Sequence, residues 1–500
     1  MRLNKSILSC AIAIAMGSSF AVHANTADKN VSTSPLSAQV SIQSDSNSIT
    51  LEQVLNNNTA VLMQDGDSNT MIVETVGENN TNEVTQLQFG NYTKVTTVGD
   101  NNDQAYFQDG TANGALTEVT GNNNNVYVSQ NGQGFLVNNE AINIVTGDDN
   151  YVEVEQGSGG HWFYNMDMQG NANEITAFQS GEWSEAEVSM LTGDDNLIYL
   201  SQAGFWNTFK VTSLQGNDNE IDVVQEGDRN AVTFNNISGD VNEILVEQEG
   251  NTNAVAFTDV VGSENSIDID QEGTDNVADS ALFEGQGNEV EITQVDTENM
   301  VTAELIGDNN ELKANQNGAS NEAYMGVLGS NNEFDINQMG NLNSAHLANF
   351  NGSDNDVNLT QAGDENAILV QSSYPNMALT SNNNDIDINQ TGNQNEAIVT
   401  LAGILDSNSN QIDIAQNGDI NLVDMMVEGN GHSVDISQEG IGNWVIGTDD
   451  SAFLLGGENV AFNVTQTGND NIVEGAVIGF NSTVSVTQLG DGNTTTITQM

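Results

Sequence analysis

The chain has one cysteine, two prolines and seven basic residues among 500, against 71 acidic ones. The cysteine, Cys10, lies inside a short apolar run from Ile7 to Met16. Arg2 and Lys5 precede that run, and Val22-His23-Ala24 follows it. This order reads as a secretory leader over residues 1–24, cleaved before Asn25, and the run is too short to span a bilayer as a helix. A lipoprotein reading fails because most of the apolar run follows the cysteine. Loss of the leader removes the only thiol, which excludes disulfides and thiolate chemistry even in an oxidising compartment. No later stretch is apolar for long enough to insert in a membrane.

Cations are the second scarcity. Setting aside Arg2 and Lys5 leaves five, in a chain of net charge −64. Such a surface repels phosphate backbones and anionic headgroups, so nucleic acid and membrane surfaces are poor partners, while diffuse binding of divalent cations is favoured. Histidine is scarce too. Beyond the leader, His161, His346 and His432 are isolated in sequence, which argues against a nucleophilic triad. A β-helix polysaccharide lyase would need a basic cleft that five scattered cations do not make. No enzyme activity and no cofactor are expected. Aromatics make up 6% of the chain, a composition that with this charge suggests disorder, until the periodicity is read.

One pattern fills most of the chain: Asn-x-apolar-x-apolar-x-Gln, then x-Gly-x-x-Asn. Asn219, Ile221, Val223 and Gln225 precede Gly227 and Asn230. Asn242, Ile244, Val246 and Gln248 precede Gly250 and Asn253. Asn265, Ile267, Ile269 and Gln271 precede Gly273 and Asn276. Asn332, Phe334, Ile336 and Gln338 precede Gly340 and Asn343. From Gln202 through Gln361 the glutamines recur every 22 or 23 residues. Period-two alternation predicts strands with the amides and apolar residues on one face and acids such as Glu220, Asp222, Asp268 and Asp270 on the other. A second strand follows each Asn, as at Asn253-Ala254-Val255-Ala256-Phe257. The Gly and Asn residues are assigned the positive φ that tight turns need.

A single strand–turn–strand–turn unit cannot bury its apolar face, whereas units stacked in register can. The expected fold is therefore an all-β solenoid of about twenty layers over residues 45–500, with a length of about 95 Å at about 4.8 Å per layer. Buried Asn and Gln would be costly unpaired, but stacked on their copies they can bond along the axis; a column of carboxylates would repel itself. The spacing falters at 131–147, 157–185, 371–383 and from Asp449 to Phe453. These stretches read as loop excursions tolerated by the scaffold, or as aromatic patches (Trp162, Tyr164, Trp183) that touch a partner. Pro375 belongs in such a loop. Acidic turns such as Gly147-Asp148-Asp149-Asn150 and Gly193-Asp194-Asp195-Asn196 offer oxygen ligands for Ca²⁺, but the nonapeptide period of a calcium β-roll is absent.

The pattern resembles the curlin repeat, Ser-x5-Gln-x4-Asn-x5-Gln with Gly two residues after the first Gln. Ser482 to Gln488 matches its first half, and Asn219 and Asn265 stand at the Ser position elsewhere. The Gln-x4-Asn spacing holds at Gln64 and Asn69, Gln202 and Asn207, Gln361 and Asn366, and Gln466 and Asn471, among others. The second Gln of the family is seldom kept, and the array is longer than is usual for the family. The resemblance implies an amyloid-forming subunit of extracellular curli-like fibres on a Gram-negative cell, supporting adhesion and biofilm matrix. It further implies self-association, a curlin-type nucleator and an outer-membrane secretion pore, with residues 25–44, which include Pro35, as a flexible targeting segment. The alternative from the residues themselves is a monomeric secreted solenoid that acts as an adhesin or binds cations or glycans. The repeat pattern runs through Asn493 to Gln499 with no polar cap.

Overall fold

The computed structural model describes residues 37–499 except 45, 133–137, 158, 259 and 373–378. The expected leader, residues 25–36 and Pro375 thus lie outside the described residues. Apart from one 3-10 turn at Thr448–Asp450, every regular element among the described residues is a strand. The fold is the expected all-β solenoid.

Two parallel sheets face each other across a thin core. The first contains twenty strands, among them Glu220–Asp228, Glu243–Asn251, Ser266–Thr274 and Glu289–Thr297. Each strand pairs with its counterpart one repeat away, so Ile221 meets Ile244, Ile244 meets Ile267, and Gln225, Gln248 and Gln271 share one column. The second sheet takes the other strand of each repeat, such as Tyr92–Val98 on Thr70–Val76. The two strands of one repeat share no backbone ladder. They form an arch whose apolar faces meet, and every ladder bond runs to the neighbouring layer. Ile221, Val223, Ile244, Val246, Ile267 and Ile269 are all buried on this seam, and Phe234 stacks on Phe257 with ring centroids 5.3 Å apart.

The two repeat lengths have a structural cause. Layers of 22 residues have an unbroken second strand, as in Met300–Ile306 and Glu322–Leu328. Layers of 23 place the extra residue in that strand: Thr208–Lys210 is cut off from Leu214–Gln215, and the Val277–Glu284 ladder slips between Ser280 and Leu282. The first strand must keep its register because it carries the glutamine column, so the second absorbs the irregularity as a bulge.

Three sequence expectations need correction. Ser37–Gln43, placed in the irregular 25–44 segment, is a strand paired with Thr59–Asp65; the alternation of Ala38, Val40 and Ile42 suffices to extend the sheet without the Asn and Gln of the pattern. The ladder continues within 159–185: Trp162–Gln169 pairs with Glu140–Thr146 with one register shift, and Glu174–Glu182 with Leu197–Phe205. Finally, the pattern asparagine is not the positive-φ residue of the turn. That residue precedes it: Arg229, Thr252, Asp275 and Leu342 have φ of 60°, 60°, 58° and 57°. The asparagine must stay extended to aim its side chain along the axis.

Candidate functional site: the amide columns and the end layers

The glutamine column is continuous. From Gln64 to Gln488, each glutamine Nε2 donates to the Oε1 of the glutamine in the next layer toward the C-terminus. Gln225 to Gln248 is 2.8 Å, Gln248 to Gln271 2.7 Å, Gln271 to Gln294 2.7 Å and Gln338 to Gln361 2.8 Å. The chain of bonds passes through the lengthened layers, as at Gln130 to Gln156, Gln361 to Gln390 and Gln438 to Gln466. The second amide hydrogen often bonds a backbone carbonyl across the core, as Gln248 does to Ala231 at 3.2 Å. A buried amide can thereby satisfy both donors and its acceptor without water.

The asparagines preceding the first sheet form a second column of opposite polarity. Asn219, Asn242, Asn265 and Asn332 donate Nδ2 back to Oδ1 of Asn196, Asn219, Asn242 and Asn310 at 2.9, 3.0, 3.1 and 3.0 Å. The same Oδ1 accepts the backbone N–H of the next layer, as from Asn242 at 2.9 Å. A third column precedes the second sheet. Asn343 continues it amide to amide, 3.0 Å from Asn321. Asn230, Asn253 and Asn276 are joined instead through backbone N–H to Oδ1, at 2.9, 3.0 and 3.1 Å from Asn207, Asn230 and Asn253. Their Nδ2 atoms turn to the next layer's turn carbonyl, Gly250 at 3.0 Å for Asn230 and Gly273 at 3.1 Å for Asn253.

The turn glycines are required twice over. Gly227, Gly250, Gly273 and Gly340 have φ of 105°, 116°, 128° and 117°. A Cβ on them would lie 2.0, 2.0, 1.9 and 2.0 Å from the carbonyl oxygen of Gly250, Gly273, Asp296 and Gly363 in the next layer. At these φ values, stacking at strand spacing leaves no room for a side chain, and the layers with Gln88 and Asp296 at this position take φ of 71° and 88° instead.

Sequence reasoning missed two ladder members. His161 and Ser184 fill the third column where the other layers have asparagine, which is why their stretch looked unpatterned. His161 donates its backbone N–H to Asn139 Oδ1 at 3.0 Å, and its Nδ1 accepts the Ser184 N–H at 3.4 Å. His432, expected at an asparagine position, sits in the second column: its N–H goes to Asn410 Oδ1 at 2.9 Å, and its Nδ1 accepts from Val460 N at 3.2 Å. Its Nε2 lies 3.0 Å from the Glu428 carbonyl, so the neutral ring with hydrogen on Nε2 mimics an amide. Burial pushes His161 down to about 4 and also lowers His432. His346 lies on the outer face, 3.4 Å from Glu322.

The acidic turns have a layer-to-layer role that sequence did not reveal. Asp148 Oδ1 accepts the Asn122 N–H at 2.6 Å and Asp194 Oδ1 the Asn171 N–H at 2.7 Å. Among the described residues no cluster of three or more His, Cys, Asp or Glu side chains is gathered to hold a metal ion. On the outer face, Asp387, Asp413 and Asp435 occupy one column, as do Asp268, Glu291 and Lys313. Partial burial first, and neighbouring acids second, hold Asp268, Asp387 and Asp413 above the usual carboxylate range. Three aromatic residues gather on one turn edge: Trp183 and Trp206 occupy equivalent turn positions, Phe205 stacks on Trp206 at 6.1 Å, and the Arg229 guanidinium lies 5.5 Å from the Trp206 ring. A further excursion that sequence did not flag, Ala402–Asp406, exposes Ile404 and Leu405 and is pinned where the buried Glu428 carboxylate accepts their backbone N–H groups at 2.8 and 2.6 Å.

At the C-terminal end of the described ladder, Thr483–Leu489 and Thr494–Gln499 each pair on one side only, with Ala461–Thr467 and Ile472–Phe480. Val484, Val486 and Ile497 are only partly buried there.

Compared with known families, the chain matches the Curlin associated repeat over residues 170–204, 216–250, 239–273, 262–295, 307–340, 331–363 and 408–440. A comparison with curated proteins finds no match.

Proposed function

We propose that this curlin-repeat protein is a structural subunit of extracellular amyloid fibres, growing by addition of further copies to the ends of its solenoid. The observation that carries the reading is the unbroken glutamine column ending at a layer whose strands pair on one side only. Unpaired strand edges with partly open apolar positions recruit further strands. Outward acids slow premature association by repulsion, as gatekeepers do. Export in unfolded form rests on the leader pattern of residues 1–24, and an outer-membrane pore and a nucleator are partners of that pathway. Adhesion and biofilm matrix follow from the fibre. We assign no enzyme activity and no cofactor, with divalent cations bound diffusely. Neither nucleic acid nor membrane insertion enters this reading.

A second reading, a monomeric secreted solenoid that acts as an adhesin or binds glycans, is favoured by the exposed aromatic edge at Trp183, Phe205 and Trp206. A thioflavin-T time course on denaturant-released protein, with and without seeds, separates the two. A lag that seeding abolishes supports the fibre subunit; a folded β-rich monomer that never grows supports the adhesin.

A further inference from the structure

We infer that the first layer, Ser37–Val54, is a built-in cap against head-to-tail union with a second copy of this chain, an inference that rests on the fibre-subunit reading. Three positions in this layer and the turn after it depart from the pattern, and the glutamine position is one that every later layer keeps. Ile42 occupies the register of Gln64, so the Oε1 of Gln64 is buried with no hydrogen bond, whereas the Oε1 of Gln86 accepts from Gln64 at 2.9 Å. Ser44 and Leu55 stand where the next layer has Gly66 and Gly77. They hold φ of 82° and 78°, a region that costs any side chain and costs leucine more than most. The strand itself is open to solvent, with Val40 37% exposed although it faces the core side. The residue ahead of it in sequence is Leu36 rather than asparagine.

The opposite end keeps the pattern: Ser482, Val484, Val486, Gln488, Gly490 and Asn493 are all in place. Gln488 accepts from Gln466 at 2.8 Å and donates to Ile472 O and Thr495 Oγ1, and among the described residues it is the last member of the column. A second copy seated head to tail on this end would set Ile42 against the Gln488 amide, leaving that amide without its axial partner against hydrocarbon. With the first layer conforming, the joint would instead repeat the internal Gln-to-Gln bond. Solenoids end in atypical terminal repeats for this reason. The two ends are therefore unequal, one matched for extension and one faulted at the amide and at both turns.

The test restores the pattern in the full chain with Ile42→Gln, Ser44→Gly and Leu55→Gly together, and compares elongation on a fixed mass of wild-type seeds. The cap account expects elongation several-fold faster than wild type, with an unfolding midpoint no lower. An equal or slower rate, with that midpoint kept, overturns it. In that restored background, adding Gln488→Leu is expected to slow elongation again, because it removes the amide that the restored first layer would meet; an unchanged rate there also counts against it. If wild type forms no fibre at all, the fibre-subunit reading fails by itself. Sedimentation then judges the cap: restored protein that forms end-to-end oligomers while wild type stays monomeric upholds it, and two monomers overturn it.

Discussion

Gln248 donates from Nε2 to the Oε1 of Gln271 at 2.7 Å, while at the other end of the same strands Asn265 donates back to Asn242 at 3.1 Å. The two columns point in opposite directions, so their dipoles oppose along the axis. Within these columns an amide finds its axial partner only because its neighbours are amides.

Replacing one member should therefore cost more than its own bond. Gln271→Leu leaves the Oε1 of Gln294 without its axial donor. We expect a loss of about 1–3 kcal/mol in the denaturant midpoint. Gln271→Glu should cost more at neutral pH, because a carboxylate cannot donate onward to Gln294.

The turn glycines make a paired prediction. Gly250→Ala forces a Cβ onto the Gly273 carbonyl at positive φ and should cost at least about 2 kcal/mol. Gly456→Ala meets nothing nearer than Ile478 Cγ1 at 3.6 Å and should stay within about 1 kcal/mol. Thermal or denaturant unfolding of the two variants checks the contrast.

The ladder histidines set an acid sensitivity. Their folded pKa values lie below the unfolded value of about 6.5, so as pH falls below that value the unfolded chain takes up protons that the native chain refuses. Stability from this source declines between about pH 6.5 and 4. The raised carboxyls of Asp268, Asp387 and Asp413 act with the opposite sign, adding stability as they protonate in acid and losing it as pH rises through their folded values. Changing both His161 and His432 to Asn, the residue of the other layers, should remove the histidine loss alone. Midpoints measured from pH 7 to 4 should fall less, relative to neutral pH, for the double variant than for wild type.

Charge repulsion on the outer face predicts that added salt accelerates assembly. The Debye length is about 8 Å at 0.15 M and about 3 Å at 1 M, so repulsion between adjacent layers is screened only at high salt. Lys313→Glu, which extends the Asp268–Glu291 column with another acid, should slow the seeded rate at low salt and lose that effect at high salt. Rates flat across ionic strength would remove the gatekeeper role of these acids.

Much of the fold was legible because its signal is short and repeated: period-two alternation names the faces, and the Gln spacing names the layer. What sequence could not supply came from substitutions that keep the bond but change the residue. His161 and Ser184 fill asparagine positions with different atoms, so pattern matching read a loop excursion where the ladder continues. The Asp148 and Asp194 carboxylates looked like cation ligands because their backbone partners, in Asn122 and Asn171, lie a full repeat away. The positive φ fell on Arg229 and Leu342, residue types that do not advertise a turn, because the tight layer stacking dictates the backbone there. The Glu428 clasp on Ile404 and Leu405 joins residues whose neighbourhood exists only after folding.

The most direct test of the central claim is the mass per length of fibres grown from the purified chain, measured by scanning transmission electron microscopy. A 53.2 kDa chain whose twenty layers extend along the fibre axis gives about 0.5 kDa per Å for a single filament at about 4.8 Å per layer. That value, or a small multiple of it from bundled filaments, is the predicted result. A value near 11 kDa per Å, one whole chain for each strand spacing of about 4.8 Å, would mean that copies stack flat rather than end to end and would contradict the solenoid as the fibre's building unit.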